Sequence, residues 1–133
     1  MIKLFLFFIL LFSISRVEAQ YKLEIEITNL KSNEGFVALQ LFDNSQKIIF
    51  GKMGSIHNYK SLFVIENLKA GKYAVRFFHD ENANKKLDLN FMGIPKEGYG
   101  ISNNAYGLFG PKSFEDWLFD VLGNKKIILK TKN

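Results

Sequence analysis

Apolar and polar residues alternate at the start of the patterned region: Tyr21, Leu23, Ile25 and Ile27 interleave with Lys22, Glu24, Glu26 and Thr28. A period of two places each set on its own face of an extended chain, so this segment predicts a half-buried strand. Residues 31–35 (KSNEG) form a turn cluster, and residues 36–42 (FVALQLF) the next strand, broken by Asp43-Asn44-Ser45. Residues 47–50 are short and apolar, and residues 51–59 read as irregular. Another strand covers residues 62–65. Residues 67–71 read as a turn, after which Tyr73, Val75 and Phe77 alternate with Ala74, Arg76 and Phe78. The periodicity then vanishes for some thirty residues.

Near the end of that gap, Ser113 with Asp116 three positions on predicts one helical turn. Residues 118–122 predict a strand, Gly123-Asn124 a tight hairpin turn, and residues 126–130 the last strand. Six or seven short strands without a long amphipathic helix predict an all-β fold, an antiparallel β-sandwich. A membrane barrel is the competitor, disfavoured because its strands need about 9–11 residues to cross a bilayer.

The N-terminus follows a different pattern. Lys3 precedes an unbroken apolar run, residues 4–12 (LFLFFILLF), and a more polar stretch ends Val17-Glu18-Ala19. A charged start, an apolar centre and small residues before the cut describe a secretory signal peptide. The run is well short of the about 20 residues of a membrane-spanning helix. Residues 1–19 are therefore expected to be a leader and residues 20–133 a single domain, exported to the periplasm or beyond the cell, with no transmembrane anchor in the mature chain. The sequence contains no cysteine, so no lipid anchor on an N-terminal Cys is expected, and the domain must be held by packing rather than disulfides.

The formal net charge is +5. The lysines fall mostly at predicted turns and strand ends, where they keep edges soluble. They are not concentrated on one face among aromatics, so nucleic acid is not an expected partner.

Loops longer than about 12–15 residues are uncommon in small domains without a reason. Residues 80–112 are such a loop, opening D-x-N-x-N-x-x-x-D with Asp80, Asn82, Asn84 and Asp88. Oxygens at alternate positions of a curled loop converge, which suits the hard calcium ion. Asp80, Asn82 and Asn84 would take the first three places, the Lys86 carbonyl the fourth and Asp88 the fifth. Two positions depart from the pattern. Lys85 stands where glycine would permit the sharp turn, and Phe91 where a bidentate Glu belongs; Glu97 is the residue that could bend back to replace it. The alternative is a loop of Asp and Asn turns bonded to their own backbone.

Further on, Tyr99 and Trp117 lie in sequence near Asn103 and Asn104, offering stacking faces and amides to a sugar or peptide, or anchoring the loop to the sandwich. Nucleophile and zinc motifs are missing, and no catalytic residue is assigned. His79 falls on the Tyr73/Val75/Phe77 face, the place of a packed histidine, opposite to Asp80.

From His79 to Phe119 the chain reads HDENANKKLDLNFMGIPKEGYGISNNAYGLFGPKSFEDWLF. This resembles the bacterial exported family called domain of unknown function 2141, with its pattern HDxNxNGxLDxN, GxPxEGxGxSNN and FGPPxFxDAxF. Lys85, Lys112 and Trp117 depart from it. The resemblance implies a transthyretin-like or immunoglobulin-like sandwich of about seven strands and implies no activity. NLKAGKYAV is also similar to strand entries of carboxypeptidase-regulatory-like domains. Transthyretin-like hydrolases rely on several histidines and a C-terminal YRGS, whereas this chain ends IILKTKN. The expected function is a non-enzymatic binding or structural module of the cell envelope, stiffened by calcium, whose partner is an envelope protein or carbohydrate. The alternative is a small envelope hydrolase using Asp80, Asp88 or Glu97.

Overall fold

The computed structural model describes residues 15–133; the apolar core of the expected leader, residues 4–12, lies outside the described residues. The strands are β1 (Gln20–Thr28), β2 (Phe36–Asp43), β3 (Ile48–Gly54), β4 (Ser61–Lys69), β5 (Gly71–Asp80), β6 (Tyr99–Ile101), β7 (Tyr106–Gly107), β8 (Gly110–Pro111), β9 (Phe119–Val121) and β10 (Lys125–Lys130). One sheet has the order β10-β1-β4. The other runs β3-β2-β5-β6, with β9 also on β5, and β7 and β8 form a small hairpin of their own.

The alternation read along β1 is realised: Leu23, Ile25 and Ile27 are fully buried. They meet Val37, Leu39 and Leu41 of β2 and Val75 and Phe77 of β5 in one cluster joining the two sheets, which makes the fold a β-sandwich. Each sheet contributes every second side chain to this core, so hydrophobic burial both holds the layers together and fixes strand register.

Five expectations need correction. Residues 80–112 are not one continuous loop: β6, β7 and β8 lie within them, because short backbone pairings need no apolar alternation, and the loop proper spans residues 81–98. Residues 51–54 are not irregular: they continue β3, pairing Gly51 with Gln40 and Met53 with Ala38. The turn expected at residues 67–71 shrinks to Ala70, because β4 runs on to Lys69 across a bulge where Asn67 takes a φ of 59°. Gly123-Asn124 does not make a hairpin. It carries the chain from β9 in one sheet to β10 in the other, where β10 lies parallel to β1. Asn124 Oδ1 accepts the Lys22 N–H at 2.9 Å and pins that crossing. Finally, strand length does not exclude a barrel, since β1, β4 and β5 have 9, 9 and 10 residues. The open sheet order excludes it.

The single helical turn is present as a 3-10 turn, Phe114–Trp117. Ser113 donates its hydroxyl to the Asp116 carboxylate at 3.0 Å rather than capping a backbone N–H. Among the described residues no helix is long and apolar enough to cross a membrane.

Candidate functional site

β5 ends at Asp80, and the following loop curls back on that side chain. Asp80 is fully buried; its Oδ1 accepts the Asn84 N–H at 3.1 Å and its Oδ2 the Lys85 N–H at 2.8 Å. Asn82 Oδ1 accepts the N–H of Asn84, and Asn84 Oδ1 that of Lys86, so each Asn closes a turn on the residue two ahead. Their amide nitrogens converge on Asp88: Asn82 Nδ2 donates at 2.7 Å and Asn84 Nδ2 at 3.0 Å. Lys85 takes a φ of 62°, the left-handed conformation usually assigned to glycine at that place. Glu97 does bend back. Its Oε1 accepts the Glu81 N–H and its Oε2 the Asp88 N–H, each at 3.2 Å.

Asp80, Asn82, Asn84, Asp88 and Glu97 thus form one network, which Lys86 joins through its N–H. Among the described residues no group of three or more His, Cys, Asp or Glu is placed to hold a metal ion. The side-chain amides of Asn82 and Asn84 and the carboxylates of Asp80, Asp88 and Glu97 all find partners within the loop. Asn84 and then Asn82 hold the Asp88 carboxyl below its ordinary range by donating to the charged form. Burial, with repulsion from Asp88 and Asp80, pushes Glu97 up, against the two N–H groups that lower it. Asp88 and Glu97 share a shallow depression of about 390 Å³ with Glu81, Asn82, Leu89 and Lys96.

His79 is packed as expected. It is fully buried and its Nε2 lies 2.7 Å from the Glu34 carbonyl. A carbonyl only accepts, so Nε2 carries the proton. Nδ1 is 3.8 Å from Glu81 Oε1 and has no hydrogen-bond partner.

The larger concavity, about 1200 Å³, lies on the outer face of the β3-β2-β5-β6 sheet. Strand register lays its floor in two rows. Met53, Ala38, Phe78 and Tyr99 stand side by side across the four strands, and Gly51, Gln40, Arg76 and Ile101 form the next row. Ala38 and Gly51 are small, so the middle of this face is hollow. Leu87 and Ile94 of the 81–98 loop make one wall, and Leu108 and Phe109 of the β7–β8 hairpin the other. Leu108 and Phe109 are fully exposed, although apolar groups of that size are normally covered. The charged lining residues are Lys52, Arg76, Lys85 and Lys132; no carboxylate lines the trough.

The residues expected to bind a ligand divide. Tyr99 and Trp117 line the trough. Trp117 is also an anchor, with its ring beside Phe42 and Phe114 and its Nε1 donating to the Lys112 carbonyl at 3.1 Å. Asn103 is committed to the backbone, donating to the carbonyls of Asp116 and Leu118 at 3.1 and 2.7 Å. Asn104 is exposed and outside the trough. The floor on β2 and β3 escaped the sequence reading. The signal was the outward set of FVALQLF, where Ala38 and Gln40 are too small or too polar for a core.

The architecture is therefore that of an all-β sandwich with a loop-walled trough on one sheet face. Over residues 25–129 the chain matches the family model described as an uncharacterized protein conserved in bacteria (DUF2141), and it belongs to that family. Among curated proteins and among solved structures nothing matches it.

Proposed function

We propose that the protein is an exported, non-enzymatic binding module of the cell envelope that takes its ligand in the trough. The observation that carries this reading is the hollow at Ala38 and Gly51, flanked by exposed apolar side chains on both walls. Ligand sites are concave, mainly apolar and furnished with a few polar groups. Export is supported by the leader pattern of residues 1–19. The lining favours an apolar ligand over a sugar, since Asn103 has spent its amide on the backbone and Asn104 lies outside.

The test is saturable binding of the neutral fluorescent probe N-phenyl-1-naphthylamine. Wild type should enhance its emission with a defined midpoint, and Ala38→Trp, which fills the hollow from an outward-facing position, should not. Absence of saturable binding in wild type overturns the reading.

A second reading concerns the loop: calcium bound among Asp80, Asn82, Asn84, Asp88 and Glu97 would stiffen the wall that carries Leu87 and Ile94. The left-handed Lys85 and the returning Glu97 favour it, because they supply the turn and the carboxylate that the sequence pattern lacks. Binding would turn the amides of Asn82 and Asn84 so that oxygen rather than nitrogen faces the ion. The hydrolase alternative draws on Asp88 and Glu97, adjacent carboxylates whose pKa values move in opposite directions. Against it, both Glu97 oxygens accept backbone N–H groups and Asp88 is covered by two amides.

A further inference from the structure

The trough's charge is one-sided. Lys52 comes from the edge strand β3, Arg76 from the floor, Lys85 from the loop and Lys132 from the C-terminal segment bridged to Tyr99. These four cations arise from separate parts of the chain and meet around one apolar hollow. Among the described residues none of them pairs with a carboxylate; every salt bridge lies elsewhere. Arg76 is also held in place. Its Nε donates to Gln40 Oε1 at 2.8 Å and its guanidinium lies 5.2 Å from the centre of the Phe42 ring. That leaves its terminal nitrogens as a positioned pair of donors, the fork that matches a carboxylate. Lys132 is similarly steered, with Nζ 4.7 Å from the Tyr106 ring centre.

Resting on the reading of the trough as the binding site, we propose that its ligand is a free long-chain carboxylate. The apolar chain lies on the Met53–Ala38–Phe78–Tyr99 row between the two loop walls, and the carboxylate is taken by Arg76 with the surrounding lysines. Charge complementarity selects the anion, and the hollow selects the chain. A cationic or zwitterionic amphiphile would set a positive group among unpaired cations. At about 1200 Å³ the space exceeds the roughly 300–1,000 Å³ of ordinary small-molecule pockets, which suits a long flexible chain.

The experiment is calorimetric titration of the purified protein with dodecanoate, methyl dodecanoate and dodecylamine, and flotation with vesicles of phosphatidylcholine and phosphatidylglycerol. Dodecanoate should bind about tenfold more tightly than its methyl ester, the gain of one charge-assisted pair, and dodecylamine most weakly. The double variant Lys52→Gln/Arg76→Gln should bring dodecanoate and ester together, and Ala38→Trp should abolish both. The charge variants alter exposed side chains only, so they remain informative if Ala38→Trp fails to fold. Equal affinity for acid and ester in wild type overturns the proposal while the trough remains a binding site. No binding of any amphiphile, free or in vesicles, overturns both. Flotation with vesicles without uptake of free dodecanoate makes the exposed loop tips a membrane contact and overturns the proposal.

Discussion

Glu97 Oε2 accepts the backbone N–H of Asp88 at 3.2 Å, tying the far end of the loop to its middle across nine residues. The two carboxylates are shifted in opposite directions. Glu97 is held above the ordinary 4.5, first by burial, and Asp88 below the ordinary 3.8, first by Asn84.

These shifts set a pH dependence. A carboxyl whose folded pKa is raised binds its proton more tightly in the folded chain. Its contribution is complete below about pH 4.5 and is lost as pH rises through the folded value. Asp88 works in the other sense: its contribution is present above 3.8 and lost as pH falls. Thermal melts of wild type should therefore lose stability on going upward from pH 4.5, relative to Glu97→Gln. The absolute melting temperatures will differ, since Gln offers one acceptor where Glu offers two. The slope is the readout, and parallel curves for the two proteins would refute this assignment.

The calcium reading makes a separate claim. An ion that binds only the folded chain adds about 2.7 kcal/mol at a hundred times its dissociation constant, several degrees for a domain of this size. Wild type should melt higher in excess calcium than in chelator, and Asp80→Ala should show no such difference. Asp80→Ala should also be less stable in chelator by about 1–3 kcal/mol, because the N–H groups of Asn84 and Lys85 lose their acceptor. A wild-type melt indifferent to calcium removes the ion from the loop and leaves Asp80 as a structural cap.

The strands were legible where one face is buried and the other wet. β1 announces itself because Leu23, Ile25 and Ile27 face the core while Glu24 and Glu26 do not. β3 was read only as far as Phe50, because Gly51 and Lys52 follow and an edge strand with a hollow outer face carries no apolar alternation. The fate of β10 was illegible for another reason. Gly123-Asn124 has the composition of a hairpin turn, but which sheet Ile127 and Leu129 enter is decided by long-range pairing with β1. In the loop, side-chain spacing foretold which residues meet. It could not foretell that Asn82 and Asn84 point nitrogen at Asp88, because an amide presents either atom according to its neighbours. The trough was hidden because its floor, walls and cations come from β2, β3, β5, β6, the 81–98 loop, the β7–β8 hairpin and the C-terminal segment.

Gly35 is required by two constraints at once. Its φ is +71°, and a Cβ built there would clash with the Asp80 carbonyl oxygen. The left-handed conformation costs a non-glycine residue about 1–2 kcal/mol, and the clash adds to it because the neighbour is backbone. Gly35→Ala should lower the urea midpoint by more than about 2 kcal/mol of stability, and disturb Asp80 and His79, which pair with Phe36 and Val37. A variant as stable as wild type would show that the 31–35 turn can move away from β5.

Ser102 closes a gap in the large sheet. β9 pairs with β5 at residues 71–73 and β6 at residues 76–78, so neither strand covers Val75. The Ser102 hydroxyl fills the interval, accepting the Val75 N–H at 3.0 Å and donating to the Trp117 carbonyl at 2.6 Å from a fully buried position. One side chain therefore joins the edge of the sandwich to the 3-10 turn behind the trough. Ser102→Ala removes both bonds and leaves a buried N–H and a buried-side carbonyl unmatched, at a cost of about 1–3 kcal/mol. Ser102→Thr keeps the hydroxyl but adds a methyl group at a fully buried position. Urea denaturation should rank wild type above both, and hydrogen exchange at Val75 should accelerate in Ser102→Ala while that at Leu39, in the middle of the core, changes only with global stability. If Val75 exchanges no faster relative to Leu39 than in wild type, the sheet closes over the gap without the hydroxyl, and Trp117 is held by Phe42, Phe114 and its bond to the Lys112 carbonyl.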